Sequence, residues 1–287
     1  MRNRQNLSER LMRGLFLASA CVCILAVGTI CAFLFINGLP FFGKYPAWDF
    51  VTGTEWAPLR DVFGILPMIV GSFYVTFGAL LLGAPIGIFT AILMARFAPK
   101  PVVKVMKPAV ALLAGIPSVV YGFFGLMLLV PLVRDGLGGT GKSVLVAGVL
   151  LAIMILPTII QTAEAAINAV PQSYYEGSLA LGATHESSVF RAVVPAARPG
   201  IISGIVLGLG RAIGETMAII MVAGNNPRMP GGLLKGVRTL TVNVLMEMGY
   251  AADLHRESLI ATGVVLFVIV MAVNYLFSFI NRRRVAQ

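Results

Sequence analysis

Apolar residues gather in six long stretches, at 14–36, 64–94, 108–133, 143–167, 199–222 and 258–280, and charged residues fall almost entirely between them. An α-helix needs about 20 apolar residues to cross a bilayer core. The pattern therefore predicts six transmembrane helices and an all-α, polytopic membrane protein. The first stretch is longer than the apolar run of a signal peptide, and no small-residue cleavage site follows it, so it reads as a helix. Pro85, Pro117 and Pro157 lie inside the second, third and fourth stretches. Proline removes a backbone hydrogen bond and kinks a helix. In lipid the freed groups must be met by protein, which predicts a packed bundle.

Composition agrees. Of 287 residues, 58% are apolar and 12% charged, about half the charge of a soluble protein. Such a chain could not cover a soluble surface, and disorder requires the opposite balance. Cys21, Cys23 and Cys31 share one apolar stretch. An odd number without metal-ligand spacing argues against a disulfide framework. They read as small apolar residues, and no cofactor or metal site is expected.

The net charge of +10 raises nucleic acid as a partner, but its distribution points elsewhere. With six spans, thirteen basic residues fall on one side: Arg2, Arg4, Arg10, Arg13, Arg96, Lys100, Lys104, Lys107, Arg191, Arg198, Arg282, Arg283 and Arg284. Eight fall on the other: Lys44, Arg60, Arg134, Lys142, Arg228, Lys235, Arg238 and Arg256. The positive-inside rule places both termini in the cytoplasm. The basic excess then lies beside anionic membrane lipid and needs no nucleic acid. This predicts a cytoplasmic tail, first helix and external segment at 1–63, a permease body at 64–282 and a short tail at 283–287.

Two external segments carry signals. Residues 37–63 hold Trp48, Trp56, Phe41, Phe42, Tyr45 and Phe50, a density that suggests a segment lying in the membrane interface. GLGGTGKS at 136–143 fits the phosphate-loop pattern in full. Its context opposes that reading. It joins two membrane helices rather than a strand and a helix, it lies outside by the charge count, and no apolar run ending in acidic residues follows to hold magnesium. A glycine-rich turn is expected instead.

The cytoplasmic loop at 168–198 reads as two short helices joined by a sharp turn. Pro171 suits a first turn, Gly182 can end the first helix and Thr184 can cap the second. Taken alone, this is a solvated helical hairpin. Its Glu176, Gly182 and Val194–Pro195 keep the register of the loop known as EAA in ABC importer permeases, which it resembles, with Gly177, Ser178 and Val194 as departures. The resemblance implies that the loop, including Ala183 and Pro195, docks on an ATPase subunit.

The fifth stretch contains LGRAIGETMA at 209–218. Arg211 lies about 18 Å along the axis from Pro199, near mid-membrane. A charge there costs at least about 2.5–3.5 kcal/mol. Glu215, four residues on, falls on the same face of a continuous helix and can neutralise it. A structural ion pair and a substrate contact both fit. Buried pairs are weak stabilisers compared with apolar replacements, and intramembrane charges mark transport pathways. Small residues recur every four positions (Gly200, Gly204, Gly208 and Ala212; Gly210, Gly214 and Ala218), which suits a closely packed central helix. A guanidinium fork also fits a tetrahedral oxyanion.

This stretch resembles the phosphate ABC importer permeases of the PstC type. So do AGIPSVVYG at 114–122, the run from Leu151 to Pro157, and the loop carrying Gly224, Asn225, Asn226 and Arg238 to Thr241. The resemblance implies a type I ABC importer permease with a helix break at Gly115 and Pro117. It implies a substrate pathway at Arg211, Glu215, Thr216 and Ser118, carrying inorganic phosphate. The implied partners are a PstA-type permease subunit, two copies of an ATP-binding subunit and an external phosphate-binding protein. The chain itself would not be an enzyme. His185 and His255 fall on opposite sides and read as solvated loop residues. A permease for sulfate or molybdate is the alternative, and a secondary anion transporter a weaker one, because no second half repeats the pattern.

Overall fold

The structure, a computed structural model, describes residues 2–285. Side chains are described from Glu9 to Phe279 apart from Arg10 and Ser278, so Arg2, Arg4, Arg10 and Arg282 to Arg284, which enter the charge count, lie outside the described side chains. The first span is α1 (Arg2–Gly38). Short helices α2 (Phe41–Lys44) and α3 (Ala47–Thr52) and an antiparallel ribbon of β1 (Trp56–Ala57) and β2 (Val62–Phe63) follow. The second span is α4 (Leu66–Ile92), continued by a π-helical turn at Leu93–Phe97. The third comprises α5 (Lys100–Gly115), α6 (Ser118–Phe124), a π-helical turn at Gly125–Leu129 and α7 (Val130–Leu137). The fourth is α8 (Val144–Asn168). A hairpin of α9 (Gln172–Ala180) and α10 (His185–Ser188) leads through a π-helical turn at Val189–Val193 into α11 (Val194–Gly214) and α12 (Met217–Val222). A loop containing α13 (Leu240–Glu247) precedes α14 (Asp253–Val285).

Among the described residues, six helices are long and apolar enough to cross a membrane, as the sequence pattern predicts. The expected tail from 283 does not separate from its helix, because α14 continues to Val285. Pro85 and Pro157 sit inside continuous helices, whereas Pro117 divides the third span.

Helix α8 is the central element: 67% of its apolar window is buried, against none for α1. Glycines on its neighbours allow the approach. A Cβ at Gly87 of α4 would meet Ile159 at 2.8 Å, and one at Gly200 of α11 would meet Ala166 at 2.3 Å. Gly204 and Gly208 continue that stripe against Thr162 and Ile159. Small-residue packing of this kind replaces the hydrophobic force that lipid does not supply. Nothing lies within 4 Å of a Cβ at Gly210 or Gly214. Of the two small-residue stripes on the fifth span, one packs on α8, and the other is open at Gly210 and Gly214 but buried at Ala218. The central role expected of the fifth span belongs to α8.

At the end opposite the hairpin, residues 37–63 form a folded aromatic core rather than an interfacial belt. Phe41, Phe50 and Phe63 are fully buried and Trp56 nearly so, against Leu240 and Leu259. Edge-on ring pairs such as Phe41–Phe50, at 4.9 Å, give the cluster its geometry. Only Trp48 of the two tryptophans is exposed. The glycine-rich turn at 136–143 joins α7 to α8, with Gly138, Gly139 and Gly141 at positive φ. The Ser143 hydroxyl accepts from Val146 N and caps α8. Carbonyls of Lys235 and Leu233 accept the next N–H groups of α8, from Val144 and Leu145. Within the loop, Gly138 N donates to Arg134 O and Ser143 N to Val222 O.

Candidate functional site

Two helix breaks meet beside the open face of α11. In the third span, Ile116 and Pro117 are extended (ψ 126° and 142°), so α5 stops and α6 starts afresh. The Tyr121 hydroxyl donates to the Leu113 carbonyl across the gap at 2.9 Å, joining the Ile116 N–H on the same acceptor. In the fifth span, α11 ends at Gly214, and Glu215 is extended (ψ 127°). The half-helices beyond the breaks pack together, since a Cβ at Gly122 of α6 would lie 2.9 Å from Ala218 Cα of α12. Gly115 and Pro117 are exposed and Ser118 is half-buried at the start of α6.

The second break overturns the expected Arg211–Glu215 pair. Spacing by four places two residues on one face only while the helix continues, and this helix ends between them. Glu215 instead turns its carboxylate onto α12, where Oε1 accepts from Ala218 N at 3.1 Å. An anion at a helix N-terminus is favoured by the dipole and by the free N–H groups. Thr216 Oγ1 donates to Gly214 O, and Thr241 at the start of α13 donates to Glu215 O. Arg211 remains half-buried, with no hydrogen bond or ion pair to any described residue. It lies close enough to Tyr121 for the two groups to interact electrostatically. The result is a guanidinium unpaired among the described residues, near two helix breaks and two glycines whose Cβ positions are open.

At the hairpin end, α9 and α10 form as the sequence predicts. Gly182 takes φ +85°, which a side chain would strain, and its N–H bonds to Leu179 O. Thr184 accepts from Ser187 N and caps α10. Pro171 is the cap of α9 rather than its first residue. Glu176 and Gly182 are exposed, Ala183 is half-buried, and Pro195 is exposed just after the π-helical turn that leads into α11. Tyr174 and Leu181 project into solvent, Leu181 at 91% exposure.

Residues 83–286 match the family described as binding-protein-dependent transport system inner membrane component. The chain belongs to that family. It is 38% identical over 98% of its length, and 94% of the relative's, to a Bacillus subtilis protein named "Probable ABC transporter permease protein YqgH". It is 33% identical to "Phosphate transport system permease protein PstC" of Mesorhizobium japonicum, covering 88% of this chain and 83% of that one. Among solved structures, a chain of the MetNI methionine ABC transporter superposes with a TM-score of 0.64 at 20% identity, covering 80% of this chain and 99% of its own. A chain of a bacterial alginate ABC transporter superposes at 0.60 and 18% identity, over 91% and 94%. The fold is that of a type I ABC importer permease.

The permease also holds polar sites that its sequence conceals. Glu247 is buried and accepts from Arg238 Nη1 at 2.6 Å and Trp56 Nε1 at 2.8 Å, while His255 Nε2 lies 2.9 Å from it. Arg238 also donates to Asn243 Oδ1 and Asn225 O. This network ties the ribbon, α13 and α14 together. His255 is therefore not a solvated loop residue, and neither is His185, whose Nδ1 lies 2.8 Å from Tyr175 Oη. Lys107 of α5 and the buried Glu164 of α8 pair at 2.7 Å. No local motif marks these partners, which lie 5 to 191 positions apart. The one available signal is that a charge in an apolar context must find a counter-charge.

Proposed function

We propose that this permease subunit forms half of the pathway of an ATP-driven importer of inorganic phosphate. Its partners are a PstA-type permease subunit, two ATP-binding subunits, one of them docked on the α9–α10 hairpin, and an external phosphate-binding protein. Both termini face the cytoplasm. The observation that carries the reading is the unpaired, half-buried Arg211 beside the two helix breaks. The PstC name of relatives such as that of Mesorhizobium japonicum gives its substrate class.

A guanidinium presents planar pairs of donors that match a phosphate's oxygens, and it stays charged at every relevant pH. In a site of low dielectric such a charge attracts an anion strongly. Because Arg211 has no ion-pair partner among the described residues, no such pair within them must open for phosphate to bind. Glu215, Thr216 and Ser118 lie at the two new helix starts beside the path. Glu215 supports this geometry by holding the end of α12 rather than by competing for Arg211. ATP hydrolysis belongs to the partner subunit, and the hairpin passes its movement to the bundle.

The test is uptake of labelled phosphate into vesicles containing the assembled complex. Arg211→Gln should leave an assembled complex that hydrolyses ATP and carries little phosphate. Arg211→Lys should keep part of the activity, since an ammonium lacks the fork. Glu215→Gln should be mild, because an amide oxygen still accepts from Ala218 N. Full transport by Arg211→Gln would overturn the reading, and equal transport of labelled sulfate would move the substrate class to another oxyanion.

A further inference from the structure

We propose that His185 is a positioning residue that joins the α9–α10 hairpin to the ends of α4 and α8, so that displacement of α9 moves the core helices. The proposal rests on the coupling reading of the hairpin given above.

Helix α9 has no buried residue. Its only side-chain hydrogen bond among the described residues is the one from Tyr175, whose Oη lies 2.8 Å from His185 Nδ1. The two rings also meet edge-on at 5.7 Å. On its other side, the His185 ring packs edge-on against Phe97, with centroids 4.9 Å apart. Phe97 closes the π-helical turn that ends the second span. Its neighbour Arg96 donates to Ile167 O at 2.9 Å, one residue before the end of α8. Direct contacts thus run from α9 through His185 to α4 and on to α8, the most buried span in the bundle.

His185 is also firmly seated. It is the first residue of α10, whose start is capped by Thr184. A short helix capped at its start and running into α11 moves as a unit, whereas an uncapped loop would absorb the displacement. Tyr175 is half-buried against this joint, while Tyr174 and Leu181 of the same hairpin point into solvent, free for a partner. The hairpin therefore divides into an outer face and an inner anchor, in which the hydrogen bond and two ring contacts of His185 add to the packing of Tyr175 on the apolar cluster that includes Ala163, Ile167 and Val189.

The experiment uses the complete complex in vesicles, with ATP hydrolysis and labelled phosphate uptake measured on the same preparation. Tyr175→Phe removes a single oxygen and keeps the ring. His185→Ala removes both bond and ring, and His185→Asn restores a polar group at the Nδ1 position. Tyr175→Phe and His185→Ala should each lower phosphate carried per ATP hydrolysed by roughly fivefold, as expected for loss of one net hydrogen bond, with hydrolysis itself maintained. His185→Asn should recover much of the ratio. The double variant Tyr175→Phe/His185→Ala should be no worse than His185→Ala alone, since both act through one contact. An unchanged ratio in Tyr175→Phe, or effects that multiply in the double variant, would overturn the proposal. A cysteine placed by Leu181→Cys separates this from failure of the coupling reading. If it does not cross-link to the ATP-binding subunit in the assembled complex, the hairpin is not the docking element and both readings fall. If it cross-links while the ratio stays unchanged, only the role of His185 falls.

Discussion

Replacing Glu247 by alanine should unfold the end of the permease that carries the aromatic core before it disturbs the helix bundle. The carboxylate side chain is 8% exposed and faces Arg238 at 11%. It is the shared acceptor for Arg238 and Trp56 and the partner of His255. Its removal leaves a buried guanidinium with only neutral acceptors, the Asn243 side chain and the Asn225 carbonyl. Breaking a buried pair from one side costs about 3–5 kcal/mol, because the remaining charge is uncompensated. At about 2–4 °C per kcal/mol for a chain of this class, the melting midpoint should fall by about 6–20 °C. Tryptophan fluorescence of detergent-purified protein follows the transition. In a Trp48→Phe background the emission comes from Trp56, which lies in the affected core. Glu247→Gln should fall between parent and alanine, since one acceptor remains. The paired change Arg238→Met/Glu247→Leu should recover much of the loss, because it leaves no unmatched charge. A midpoint for Glu247→Ala within about 2 °C of the parent would refute the reasoning.

Four further outcomes follow from the geometry. Gly200→Leu should prevent close packing of α11 on α8 and lower membrane abundance, whereas Gly214→Ala, with nothing within 4 Å, should leave abundance unchanged in an immunoblot. Gly182→Leu should uncouple ATP hydrolysis from phosphate uptake while the complex still assembles, because the hairpin turn needs φ +85°; normal uptake with normal stimulation of the ATPase would argue against the lever. Lys142→Ala should transport phosphate normally, since loss of one exposed charge changes stability by no more than about 0.5 kcal/mol, and lost uptake at normal abundance would reopen nucleotide binding at 136–143. A reporter active only in the cytoplasm should work when fused after Gln287 and be silent within 231–236; the reverse result would invert the topology.

The sequence by itself determined the six spans, the hairpin and its turn, because each follows from a local rule. Span length follows from bilayer thickness. Gly182 marks its turn because a left-handed φ admits few other residues, and Thr184 marks a helix start because its hydroxyl meets a free N–H. The break at Pro117 was legible through the resemblance of AGIPSVVYG at 114–122 and not through proline itself, since Pro85 and Pro157 sit inside continuous helices. The break after Gly214 was not, since nothing in LGRAIGETMA forbids a helix, and spacing alone then paired Arg211 with Glu215. Tertiary contact decided otherwise. Thr241 of α13 holds the Glu215 carbonyl, and α12 packs on α6 through Ala218 and Gly122. Likewise, aromatic density at 37–63 could not distinguish an interfacial belt from a folded core. Leu240, Leu259 and the Glu247 network supply its other wall from nearly 200 residues away. Burial of an aromatic or a charge depends on partners that only the folded chain brings within reach, which is why Arg211 was legible as a candidate and its freedom from Glu215 was not.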